Sequence, residues 1–297
     1  MRKQKDIISE INTKAPNISK YLTSRITEHN RKGLTFNVID SGPLDGKLIV
    51  LLHGFPETAS SWNQVSNILN EHGYRTLAID QRGYSPAASP KGRFKYSVAE
   101  LVEDVYSLIK TLDQPVYLMG HDWGSIVACE LALKHPEAVT HLTLVSVPHK
   151  GAFLKAMLSS TQIFSSYYMG LFQLPIIPEF MFKRTKFLGH YFLRNSGMTP
   201  EQLSTFDKDF IQENRLGTAI NWYRSMLISS PLSLFKKVDV PTLFVWGSED
   251  IAVSKKSAEL NKNFFSNQYH EVFIKTSHWI PAQNPHELSQ YFLNAVS

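Results

Sequence analysis

The chain has a single cysteine, Cys129. That excludes an internal disulfide and any thiolate-held metal cluster, and its place in an apolar helical stretch makes it a packing residue. No apolar run is long enough to span a bilayer. The N-terminus, Met1-Arg2-Lys3-Gln4-Lys5-Asp6 followed by Ile7-Ile8-Ser9-Glu10, lacks the apolar core of a signal peptide, so a cytoplasmic location is expected. Charge is not massed in one tract despite the formal net +5. The densest internal cluster, Lys183-Arg184-Thr185-Lys186, reads as a solvated face rather than a phosphate track, and no nucleic acid is expected as partner. Internal repeats and low-complexity segments are missing too. What remains is a soluble globular composition, 43% hydrophobic and 19% charged, over 297 residues, enough for one large core carrying an insertion.

Short continuous apolar runs recur at Leu48 to Leu52, Thr76 to Asp80, Tyr117 to Met119 and Leu142 to Val145, with helical stretches such as Val98 to Leu112 between them. Continuous rather than alternating strands separated by helices predict a mostly parallel sheet covered on both faces. From Pro148 the composition turns aromatic and helical, and the strand rhythm resumes at Thr242 to Trp246 and His270 to Ile274. The expected organisation is an α/β core of residues 25–147 and 235–297, with a helical cap of residues 148–234 inserted over the carboxyl ends of the strands, where ligands bind in such folds.

The most informative stretch is Gly120-His121-Asp122-Trp123-Gly124, between a strand and the helix that begins at Ser125. A small-x-nucleophile-x-small turn is so tight that only small residues fit beside the reactive one, and it lifts that side chain above the sheet. Here the lifted group is Asp122. A plainer reading is a helix-capping aspartate, but a cap needs no glycine on both sides. An aspartate, with an ordinary pKa near 3.9, is already an anion at neutral pH and needs no base in order to attack. Carboxylates attack saturated carbon bearing a leaving group. The product is an ester of the protein, which water must then cleave with the help of a base and an oxyanion hole.

In this architecture the order is nucleophile, acid, histidine. Gly247-Ser248-Glu249-Asp250 follows one later strand and Ser277-His278-Trp279 follows the next. Asp250 is therefore the expected orienter, with Glu249 as the substitute if the turn is one residue off, and His278 is the expected base. His29, His72, His135, His141, His190, His270 and His286 read as surface or helix-end residues. His53-Gly54-Phe55-Pro56-Glu57 follows the strand ending at Leu52, so the Phe55 N–H and the Trp123 N–H are the expected oxyanion-hole donors, with Pro56 fixing the loop.

These motifs, with Asp80-Gln81-Arg82-Gly83-Tyr84-Ser85 and Val245-Trp246-Gly247, run in order over nearly the whole chain, and together they resemble the epoxide hydrolase branch of the α/β-hydrolase superfamily. The resemblance implies an α/β-hydrolase fold and two cap tyrosines that hydrogen-bond the epoxide oxygen. Tyr168 in Tyr168-Met169-Gly170-Leu171-Phe172-Gln173-Leu174-Pro175 and Tyr223 in Asn221-Trp222-Tyr223-Arg224 match those segments, with Tyr167 as a neighbouring alternative. A phenol stays protonated at neutral pH and donates to an oxygen becoming an alkoxide. Two departures are Ser277, where the family usually has glycine, and Ala282, where close relatives often have an acid.

The expected substrate is a small apolar epoxide, opened with water to a diol. His53, Pro56, Trp62, Trp222 and Trp279 are candidate pocket residues. No cofactor or metal is expected, and the chain would act as a monomer or homodimer. Two rivals use the same residues differently. A haloalkane or haloacid dehalogenase shares the aspartate, but Phe55 occupies the usual halide-binding Asn position, and no arginine follows Asp122 to hold a substrate carboxylate. A non-catalytic small-molecule receptor would share the fold alone.

Overall fold

The computed structural model describes residues 24–183, 186–226 and 231–297. The N-terminal stretch beginning at Met1 and the Arg184-Thr185 part of the basic cluster lie outside the described residues. Eight strands, β1 (Glu28–Arg31), β2 (Leu34–Ser41), β3 (Lys47–Leu52), β4 (Tyr74–Ile79), β5 (Val116–His121), β6 (Val139–Val145), β7 (Thr242–Gly247) and β8 (Tyr269–Ile274), form one sheet in the order β1-β2-β4-β3-β5-β6-β7-β8. Strands β3 to β8 pair in parallel, while β1 and β2 join antiparallel at one edge. That edge is absent from the sequence reading because β1 and β2 carry no continuous apolar run. They show the half-buried pattern of an outer strand instead.

Both faces of the central strands are buried, and alternate residues feed two separate apolar layers. Leu48, Val50 and Leu52 of β3 pack in one layer with α2 (Val98–Thr111) and α3 (Trp123–Lys134). Ile49 and Leu51 pack in the other, with Trp62, with Val65 and Leu69 of α1 (Asn63–Glu71), and with a C-terminal helix, Pro285–Val296. Helix α2 illustrates the pattern. The Ser97 side chain caps it by accepting from the Glu100 N–H, and Val98, Leu101, Val102, Val105, Leu108 and Ile109 make one buried stripe.

Apart from an isolated bridge at Val238, the regular elements of the described residues between β6 and β7 are helices: α4 (Lys150–Ser159), α5 (Gln162–Ser165), α6 (Tyr167–Leu171), α7 (Ile177–Lys183), α8 (Lys186–Asn195), α9 (Pro200–Phe206) and α10 (Leu216–Ser225), with short one-turn pieces. Helix α10 is fastened to the loop after β4. Trp222 Nε1 donates to the Arg82 carbonyl at 2.7 Å, Thr218 Oγ1 to the Gly83 carbonyl at 2.6 Å, and Arg215 to the Tyr84 carbonyl at 3.2 Å. Arg82 is in turn fixed by Asp104 of α2, at 2.7 and 2.8 Å. The Asp80–Ser85 motif thus carries the seat on which the helical insertion rests. No described helix is long and apolar enough to cross a membrane.

Candidate active site

Asp122 stands between β5 and α3 at φ 51°, a left-handed conformation that costs a non-glycine residue of order 1–3 kcal/mol. The flanking glycines make the turn possible. A Cβ on Gly120 would lie 2.2 Å from the Gly124 carbonyl oxygen, and one on Gly124 would lie 2.1 Å from that of Leu52. Ser125 pins the turn to the next strand, donating to the Gly120 carbonyl at 2.7 Å and accepting from the Val145 N–H at 2.9 Å.

The two oxygens of Asp122 have different surroundings. Oδ1 accepts a 2.8 Å hydrogen bond from the Phe55 N–H. Oδ2 lies 3.4 Å from Nε2 of His278. Burial by itself raises the carboxyl pKa, but the hydrogen bond and charge of His278, with smaller help from His121 and Phe55, bring it below the ordinary value. Asp122 is an anion in the resting protein.

His278 follows β8, and its Nδ1 meets Asp250 Oδ2 at 2.6 Å. The other oxygen of Asp250 accepts from the Ala252 and Val253 N–H groups at 2.8 and 3.0 Å, which fixes its direction. Glu249, the substitute orienter, is exposed, and the partner of His278 Nδ1 is Asp250. Burial lowers the His278 pKa, yet the charges of Asp250 and Asp122 and hydrogen bonds to both carry it up to about 10. The resting site is an imidazolium between two carboxylates.

Sequence reasoning missed what holds the His278 backbone. Its carbonyl accepts from Ser146 Oγ at 2.7 Å and from His121 Nε2 at 2.9 Å, and His121 Nδ1 lies 2.9 Å from Glu57 Oε2. The available signal was that Glu57 and His121 each sit inside a motif already singled out. Ser277 donates to Gln283 at 2.7 Å, and Gln283 donates to the Gly197 carbonyl at the same distance, so the departure from glycine ties the histidine loop to the helical insertion.

A cavity of about 460 Å³ opens onto Asp122. Tyr168, Tyr223 and Trp123 line it, and most of the remaining wall is apolar, including Phe153, Met157 and Met226. The rings of Tyr168 and Tyr223 are 6.0 Å apart, and burial followed by the Asp122 charge pushes both phenols far above their ordinary pKa. Tyr167 is 64% exposed and turns away from the cavity wall.

The candidate pocket residues require correction, since none of the five is among those that line this cavity. Trp62 belongs to the apolar layer on the other face of the sheet. His53 is fully buried, accepts from the Gln81 N–H at 3.1 Å and stacks on Trp222. Trp222 and Trp279 donate their indole N–H groups to the carbonyls of Arg82 and Ser196, bridging core and insertion. Pro56, preceded by a cis peptide bond, borders a second cavity of about 470 Å³ with Glu57, Asp209 and Gln283. His29 and His141 are likewise buried rather than on the surface.

Residues 47–285 match the family described as alpha/beta hydrolase fold. The chain is 34% identical over 273 residues to the AB hydrolase superfamily protein YfhM of Bacillus subtilis, covering 89% of this chain and 95% of that one. It is 32% identical to Epoxide hydrolase 4 of Mus musculus, covering 91% of this chain and 77% of the mouse protein. Among solved structures, the Bacillus megaterium epoxide hydrolase in complex with an inhibitor superposes with a TM-score of 0.76 over 91% of this chain and 99% of its own, a likeness of fold at 22% identity. The chain belongs to the α/β-hydrolase superfamily, in its epoxide hydrolase-like branch.

Proposed function

We propose that the protein opens an uncharged, apolar epoxide to a vicinal diol through a covalent ester on Asp122, with residues 148–234 acting as the cap over the site. The observation that carries this reading is the division of labour within one carboxylate. Oδ1 is held by the Phe55 N–H, while Oδ2 stands beside His278, on a side chain that faces a largely apolar cavity with two buried phenols.

The protonation pattern supports a closed cycle. Asp122 Oδ2 attacks an epoxide carbon from the rear, the C–O bond of the ring breaks, and Tyr168 and Tyr223 hydrogen-bond the departing oxygen. That oxygen takes up the proton released by the His278 imidazolium, relayed through a tyrosine. Esterification removes the charge of Asp122, one of the two that raise the His278 pKa, so the imidazole is left neutral and able to act as base. His278, oriented by Asp250, then takes a proton from water. The hydroxide adds to the ester carbonyl, whose oxygen rests against the Phe55 N–H with the Trp123 N–H alongside. Collapse returns the carboxylate, the imidazolium and the diol.

One turnover of an aryl epoxide in heavy-oxygen water, followed by mass analysis of the peptide holding Asp122, tests this. Label is expected on the peptide, because water attacks the Asp122 carbon. Label in the diol alone excludes the ester. Halide release from a haloalkane without diol formation from the epoxide reassigns the same nucleophile to dehalogenation.

A further inference from the structure

The cations are spread along the chain, but the carboxylates are not. Between Pro148 and Pro200 there are six Lys and Arg residues and one acid, Glu179, a net +5 that equals the formal charge of the whole chain and leaves the other residues balanced. Glu179 is itself held by Arg224 at 2.8 Å, and of the cations Lys150 is held by Glu130 of the core at 2.9 Å. The same stretch holds eleven of the seventeen exposed large hydrophobic side chains among the described residues. Leu158 is 82% exposed, Phe164 76% and Ile176 75%, with Ile163, Tyr167 and Phe180 also outside, on or between the successive helices α4, α5, α6 and α7. Exposed apolar groups on this scale mark an interaction surface rather than ordinary scatter.

Two features identify the partner. An apolar, aromatic face with cations and almost no acids matches the requirements of the headgroup boundary of a bilayer carrying anionic lipid. A second copy of this chain fits worse, because a two-fold contact through the face would bring its exposed cations, such as Lys155, against one another. The face also continues into the active cavity. Leu154 and Gly170 are exposed and belong to the cavity wall, and Leu154 lies one turn before Leu158 on α4. We propose that this face docks on the surface of an anionic lipid bilayer, placing the cavity mouth against the lipid from which an apolar substrate partitions. Docking itself does not depend on the reaction proposed above; only the route of the substrate rests on that reading.

Flotation of the full chain with phosphatidylcholine vesicles, with and without phosphatidylserine, tests the docking without any turnover. The wild type is expected to float with the serine-containing vesicles. Binding should fall at least tenfold when ionic strength rises from about 0.1 M to about 1 M, since the screening length drops from roughly 10 to 3 Å. Leu158→Asp with Phe164→Asp should lower the partition coefficient at least tenfold while leaving turnover of a water-soluble epoxide unchanged, because neither side chain is among the cavity-lining residues. Failure of the wild type to float overturns the proposal, as does binding that survives both substitutions. A dimer that the double substitution dissociates also overturns it and assigns the face to self-association. Loss of turnover in the double variant with flotation intact places the residues in the chemistry instead. Lys155→Glu, on an exposed residue of α4, checks the charge contribution separately and should weaken flotation in the same direction.

Discussion

Gly54 approaches Asp122 so closely that a Cβ on the glycine would lie 2.4 Å from the aspartate Cβ and 2.5 Å from Oδ1. The loop that delivers the Phe55 N–H therefore touches Asp122 one residue before the donor. Gly54→Ala is expected to push the loop away and lengthen the Phe55 hydrogen bond. Losing one such donor costs about 10²- to 10³-fold in rate. The stopped-flow rate of ester hydrolysis should fall by that order and that of ester formation much less, with the far-ultraviolet spectrum unchanged. Wild-type rates in a folded variant defeat the argument.

The tyrosine pair separates the two chemical steps. Tyr168→Phe and Tyr223→Phe each remove one proposed donor to the leaving oxygen without shrinking the apolar wall, and general-acid assistance is worth roughly 10²- to 10⁴-fold. Ester formation should slow by about 10²-fold in each. Hydrolysis of an ester already formed should change little, because its oxyanion faces Phe55. Equal loss in both steps, measured in single turnovers, assigns the phenols to general packing instead.

Much of the fold, and the meeting of Asp122, His278 and Asp250, could be read from the chain, because tight backbone geometry leaves a local signature. Gly120, Gly124 and Gly54 are glycines since a Cβ at each would meet backbone or the Asp122 side chain at 2.1 to 2.4 Å. Strands β3 to β7 were legible as apolar runs because both faces are covered, whereas β8, the other edge strand, is mostly exposed and carries His270 and Glu271. Side-chain direction has no such signature. Trp62 and Trp222 look equally suited to a pocket wall in the sequence, yet one faces the opposite layer of the core and the other bridges the insertion to Arg82. The support of His278 was only partly signalled for a related reason: Glu57, His121 and Ser146 come from three separate loops or strand ends and meet only after the parallel sheet aligns them.

The pH dependence of stability follows from His278. Its folded pKa is raised from the ordinary 6.5 to about 10. A group with a raised folded pKa contributes stability that is full below its unfolded value and lost as pH climbs through the folded one. The melting temperature of the wild type should thus fall relative to His278→Gln as pH rises from about 6.5 to about 10. Lys and Tyr titrations elsewhere are common to both proteins and cancel in the difference. Parallel melting curves across that range contradict the imidazolium assignment.

Two of the buried tryptophans, Trp62 and Trp222, provide a matched test of how the helical insertion is held. Trp222 Nε1 donates to the Arg82 carbonyl at 2.7 Å, whereas Trp62 Nε1 is buried without a hydrogen-bond partner among the described residues. Replacing either by Phe removes a similar volume from a fully buried position. Only Trp222→Phe strands an acceptor, however, and leaving a buried polar group unpaired costs about 1–3 kcal/mol. Urea midpoints should show Trp222→Phe less stable than Trp62→Phe by that difference. Because Trp222 also packs against Trp123 and His53, its loss should loosen the insertion over Asp122 and raise KM for an apolar substrate, while Trp62→Phe leaves KM near wild type. Equal midpoints and equal KM values in the two variants refute the role of Arg82 as the anchor point.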